Sequence, residues 1–126
     1  MSPLAKEWLA KGLADLATAE REIRARKNPN YDAVCFHSQQ AVEKLLKAKL
    51  IVLRRDVPRS HDLAHLLAMV TDKEPLWEAW RIAMNELAAY AVEFRYPGES
   101  ADRELAKRAV AIAKHACEEI TLNLSR

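Results

Sequence analysis

His37, Gln40 and Lys44 stand in the stretch YDAVCFHSQQAVEKLLKAKL, which runs from Tyr31 to Leu50. Offsets of zero, three and seven stack these side chains on successive turns of one helix edge. An imidazole, an amide and an ammonium aligned beside an apolar arc can grip a phosphate or a base. The same three groups can instead satisfy loop carbonyls and one another. Arg95, followed by Tyr96 in FRYPGE, adds a guanidinium able to hold phosphate oxygens bidentately, with Lys44 acting as a point charge. An arginine near a helix end can also cap carbonyls and pair with an acid. Without a glycine-rich phosphate loop, a mononucleotide held by such a set is expected to bind only in the micromolar to millimolar range.

Other imidazoles invite different chemistry. Arg55 and His61 flank the remainder of the RDVPRS loop and form a minor candidate for a catalytic pair. His61 and His65 lie four residues apart with Asp62 between them, a spacing that can chelate zinc. No third ligand is apparent, so neither a metal nor another cofactor is expected. Asp62 is expected instead to stabilise the start of a helix through the positive end of its dipole. Arg108 and His115 are seven residues apart, about 10 Å along a helix axis, on a charged face with Glu104 and Glu119.

The elements that must position these groups are helices. The chain has 126 residues, of which 50% are apolar and 30% charged, with only two glycines and five prolines. Period-two alternation of β-branched residues is absent, and helix formers predominate. The length suits a single domain, residues 1–126. Twenty basic and eighteen acidic side chains leave a net charge of +2 with no basic tail to advertise nucleic acid. Cys35 and Cys117 match no metal or disulfide spacing and read as buried thiols. MSPLAKEWLAKG lacks the apolar run of a signal peptide, and no stretch reaches the ~20 apolar residues of a membrane span, so a cytoplasmic location is expected.

Ser2 and Pro3 open a helix expected to last to about Arg26, with Ala5, Trp8, Leu9, Gly12, Leu16, Ala19 and Ile23 on one arc. Asn28-Pro29 breaks it, and a second helix is expected from about Asp32 to Leu53. Ser60 is expected to cap a short third helix through HDLAHLLAMV. Pro75 starts a fourth that should reach Arg95, and Ser100 should cap a fifth that persists nearly to the end. Short connections between long helices predict an all-α, antiparallel up-and-down helical bundle of four long helices plus one short helix.

The second helix carries apolar residues on both sides. Val34, Ala41, Leu45, Ala48 and Val52 form one stripe, and Cys35, Val42, Leu46 and Leu53 its neighbour. Phe36, Leu50 and Ile51 point the other way, among Gln39, Glu43 and Lys47. That surplus predicts a homodimer or higher homo-oligomer.

Three blocks, FHSQQAVEKLLKAKL (Phe36 to Leu50), SHDLAHLL (Ser60 to Leu67) and YAVEFRYPGE (Tyr90 to Glu99), closely resemble the HEPN domain family. The resemblance implies an antiparallel helical bundle, commonly dimeric. Many family members act as partners of minimal nucleotidyltransferases in toxin–antitoxin or related systems, and nucleotide binding was proposed for the domain. A ribonuclease branch carries an arginine followed after four to six residues by a histidine, and cleaves RNA without metal. Arg95 occupies the arginine position here, but residues 96 to 101 are Tyr, Pro, Gly, Glu, Ser and Ala. The usual general acid/base of that branch is therefore missing. The resemblance implies first a dimeric binding and partner protein for a nucleotidyltransferase, able to bind nucleotide. The enzyme alternative is a ribonuclease using Arg95 with His37 or His61, and the third is a purely structural helical dimer.

Overall fold

The computed structural model describes residues 1–126. Each long α-helix but one opens on a polar side chain that accepts a backbone N–H. Ser2 accepts from Ala5 at 3.1 Å and Pro3 occupies the first turn of α1 (Pro3–Ile23), where its missing donor costs nothing. Asn30 accepts from Ala33 at 3.0 Å to start α2 (Tyr31–Val52), after Asn28 turns the chain at a positive φ of 46°.

The third and fifth helices start later than expected. Asp62, not Ser60, caps α3 (Leu63–Ala68), accepting from Ala64 and His65; Ser60 Oγ instead accepts from the Asp62 N–H. Likewise Asp102, not Ser100, caps α5 (Arg103–Leu124), accepting from Leu105 at 2.8 Å. In both cases a carboxylate two residues downstream offers a stronger acceptor than the serine hydroxyl.

The fourth helix is also not the single element expected from Pro75. Its first six residues, Pro75–Trp80, wind as a 3-10 helix, and α4 proper is Arg81–Glu93. Three residues per turn superpose positions i and i+3. Trp77 and Trp80 use that eclipsing to stack, with centroids 5.1 Å apart and planes within 12°.

The four long helices and the short α3 form an antiparallel up-and-down bundle, with α2 packed against α1, α3, α4 and α5. Leu45, Leu46, Leu50, Met84, Leu87 and Ile120 are fully buried at its centre. Gly12 sets the approach of α1 to α2: a Cβ there would run into Leu45 Cδ1 and lie 3.0 Å from the Ala41 carbonyl oxygen.

Leu50 is 0% exposed and belongs to the core, which overturns its assignment to a free apolar side. Ser38, Gln39, Glu43, Lys47 and Lys49 are buried with it. The surroundings of α2 extend further than a three-helix neighbourhood, because α3, α4 and the 53–62 connection cover its second side. Val52, conversely, sits in the last turn of α2 and is exposed. No helix is long and apolar enough to cross a membrane.

Candidate functional site

The polar edge predicted on α2 meets α1. His37 Nδ1 lies 2.8 Å from one Asp15 carboxylate oxygen, and Lys44 Nζ donates to the other at 2.5 Å. One acid on α1 thus bridges two cation-capable groups a helical turn or two apart on α2. Gln40 does not join them; its Nε2 donates to Gln39 Oε1 at 2.8 Å. Arg95 lies elsewhere, so the structure does not bring the four side chains into one pocket.

A second constellation forms on the neighbouring face of α2. Glu43 is buried, and three donors turn to it: Gln39 Nε2 at 3.1 Å, Lys47 Nζ at 3.1 Å and His61 Nδ1 at 3.0 Å. Lys47, equally buried, lies 5.4 Å from the centroid of the Trp8 ring. A buried carboxylate is tolerable only when paired and hydrogen-bonded in this way. An ionised carboxylate only accepts, so Nδ1 of His61 carries the proton toward Glu43, and in the neutral imidazole Nε2 is then the acceptor. The His61 side chain is 77% exposed, so that nitrogen faces solvent rather than the core.

Gln39 also fixes the same loop through its backbone. Its Nε2 donates to the His61 carbonyl at 3.1 Å. The Gln40–Gln39–Glu43 chain therefore pins the 53–62 connection onto α2.

Next to this anchor lies a cleft of about 330 Å³ between α2, the start of α3 and the C-terminal half of α4. Phe36 and Gln39 line one side, His61 and Asp62 another, and Val92 and Arg95 the third. The Arg95 guanidinium sits 5.9 Å from the Phe36 ring centroid, in cation–π range, and makes no ion pair or side-chain hydrogen bond. Asp62 also lines the cleft, but its Oδ1 is occupied by the first N–H groups of α3. Tyr96, 65% exposed, follows Arg95 beyond the end of α4.

Arg55 and His61 are held apart. Arg55 forms a bidentate pair with Asp72 at 2.7 Å and donates to the Met69 carbonyl at 2.6 Å. The pair raises the arginine further above its ordinary range and pulls Asp72 down to about 2, chiefly through the hydrogen bond between them. Arg108 is paired with Glu86, while His115 meets the edge of Trp80 at 6.0 Å. His65 donates its backbone N–H to Asp62, which is spent on that cap.

Phe36, Gln39 and Glu43 escape sequence reasoning as parts of a site. The i, i+4, i+8 spacing of Gln39, Glu43 and Lys47 is the available signal, since it marks one line along α2. Its meaning stays hidden because the partner, His61, arrives from a loop.

A family model described as "HEPN domain" matches residues 5–123. Among solved structures the fold is similar to TT1696 from Thermus thermophilus, with a TM-score of 0.80 and 26% identity over 95% of this chain and 98% of that one. No curated protein matches the sequence.

Proposed function

The chain belongs to the HEPN domain family, and from that premise we propose that it is a nucleotide-binding partner protein whose ligand site is the α2–α3–α4 cleft. One observation carries this reading: Arg95, free of any acidic partner, shares a cleft with the aromatic face of Phe36 and the oriented imidazole of His61. A guanidinium binds phosphate oxygens through paired N–H donors, and an aromatic ring beside it offers a surface to a base. The volume is at the small end of ligand sites, which suits part of a mononucleotide and modest affinity. His37 and Lys44 meet Asp15 and Gln40 meets Gln39, so these three hold α2 in place, and Tyr96 follows Arg95 beyond the end of α4. Association with a minimal nucleotidyltransferase, in a toxin–antitoxin or related setting, rests on the family resemblance.

The proposal includes a homodimer formed through α4. Ile82, 82% exposed, Ala89 and Val92 share one outer arc of that helix, and Tyr96 continues past its end. Val92 belongs to both this face and the cleft, so a partner copy would border the ligand site.

Titration calorimetry with AMP and ATP tests the binding reading. The parent is expected to bind in the micromolar to millimolar range, and Arg95→Ala to lose at least tenfold with circular dichroism unchanged. No heat from the parent would refute it.

A ribonuclease reading is favoured by one specific observation, the presence of His61 with Arg95 in a single cleft. Glu43 holds the ring in the tautomer that leaves Nε2 basic, as a general base requires. Cleavage of varied RNAs by the parent and its loss in His61→Ala would establish this reading; no cleavage by the parent would dismiss it.

A further inference from the structure

We infer that the groove between the 3-10 helix and the C-terminal half of α5 binds an organic ammonium ion carrying a short apolar arm. The groove is about 460 Å³ in volume, and Glu74, Leu76, Trp77, Trp80, His115 and Glu119 line it. It shares no residue with the Arg95 cleft. Two elements build it. The tight winding of Pro75–Trp80 sets Trp77 and Trp80 one above the other. On α5, His115, Glu119 and Asn123 follow one another at four-residue steps along a single line.

This place already holds one ammonium group, supplied by the chain itself. Lys49, in the last turn of α2, donates to Glu74 at 3.1 Å and to the Asn123 side-chain oxygen at 2.7 Å. Its nitrogen lies 5.5 Å from the Trp77 ring centroid. The Lys49 side chain is only 8% exposed, so carboxylate, amide oxygen and indole face together sustain an ammonium taken out of water.

Indole and carboxylate recur one step nearer the surface, and there they have no partner within the chain. Trp77 is buried, whereas Trp80 is half-buried and the exposed His115 ring stands 6.0 Å from it. The Glu119 carboxylate makes no ion pair or hydrogen bond, and Glu74 keeps one oxygen free, because only the other meets Lys49. Leu76, 87% exposed, adds an apolar wall.

Charge decides the ligand class. Lys49 offsets Glu74, which leaves Glu119 as the uncompensated acid; Arg126 is the one further charged group on the lining. An anion would gain Arg126 alone and meet two glutamates, and an uncharged ligand would forgo Glu119. An alkylammonium pairs with Glu119, is attracted to the ring of Trp80, and rests its arm on Leu76. A free alkylamine and a lysine side chain of a partner peptide present this same chemistry.

The test follows the three indole N–H signals by NMR at constant ionic strength. The probes are n-butylammonium, Nα-acetyl-lysine amide and uncharged 1-pentanol. The Trp77 and Trp80 signals are expected to shift and saturate with n-butylammonium, with a Kd in the millimolar range. Trp8, on α1, should stay still. Binding of the lysine amide as well points to a peptide side chain, and its failure beside a binding n-butylammonium to a free amine. Glu119→Gln, an exposed change, should weaken binding about three- to fivefold, and Arg126→Gln should strengthen it. Trp80→Leu should weaken it also, read from Trp77, with circular dichroism as the fold control. Arg95→Ala should leave it unchanged, so the outcome is independent of the nucleotide reading. The inference is overturned by no saturable shift in the parent, by equal shifts with 1-pentanol, or by unchanged affinity in Glu119→Gln.

Discussion

Glu43 is the acid on which three donors converge, so its removal is the most informative single change in the chain. Glu43→Ala leaves Lys47 buried without a counter-charge, and breaking such a pair costs about 3–5 kcal/mol. Urea denaturation should show that loss, whereas His61→Ala, at the exposed end of the same network, should cost far less. A parent-like midpoint for Glu43→Ala would mean that the pair is solvated. The thiols give a second check. Burial pushes Cys35 up to about 11 and Cys117 up to about 12, so both are protonated at pH 8. A thiol-specific reagent should label neither in the native protein and both on unfolding. Sequence shows the chemistry available on α2 but not its partners. The stacking of His37 and Lys44 follows from spacing alone, yet the acid that receives them is Asp15, twenty-two and twenty-nine residues away. Spacing cannot disclose a contact between elements, and the convergence on Glu43 is hidden for the same reason.

Helices announce themselves through local signals, and their bounds are legible wherever the signal is local. Ser2-Pro3 and Asn28-Pro29 mark the bounds of α1 to within a few residues. The fourth helix is less legible, because a proline in the first turn suits α and 3-10 winding equally and the Trp77–Trp80 stack decides between them. A tight contact between α1 and α2 lies at Gly12. Alanine there would gain up to ~1 kcal/mol in helix propensity but must displace Leu45 and press on the Ala41 carbonyl. A net loss of about 1–3 kcal/mol is expected for Gly12→Ala, as for overpacking in general. A more stable variant would show that α1 can move away from α2. Leu45→Ala and Leu87→Ala, which empty fully buried positions, should each cost about 2–5 kcal/mol by thermal or denaturant melts.

Two expectations concern the whole bundle, its response to acid and its state of association. The bidentate bond from Arg55 holds Asp72 at about 2, below its ordinary 3.8. A carboxylate depressed in the folded state binds more protons when unfolded, so it favours folding above about pH 4 and loses that contribution as pH falls toward 2. The pair is exposed, so the effect should be small and weaker in salt. Asp72→Asn should make the acid limb of the stability profile shallower over that window; an identical limb would count against the pair. Association is the other global property. Sedimentation at micromolar concentration is expected to show a dimer, and Ile82→Glu/Val92→Glu a monomer with unchanged helicity. A monomeric parent would remove the dimer and with it any role of a second copy at the cleft.

Because α2 packs against four other helices, it also bears on the order in which the chain assembles. Only residues 24–30 connect it to α1, so little loop entropy opposes their pairing, and the Gly12 approach supplies a tight seam. The α1–α2 hairpin is therefore the expected nucleus, onto which α4 and α5 dock late. Stopped-flow kinetics should divide the core variants accordingly: Leu45→Ala chiefly slows refolding, while Leu87→Ala chiefly accelerates unfolding. The lifetime of the native state is then governed from α4, the helix that flanks the cleft.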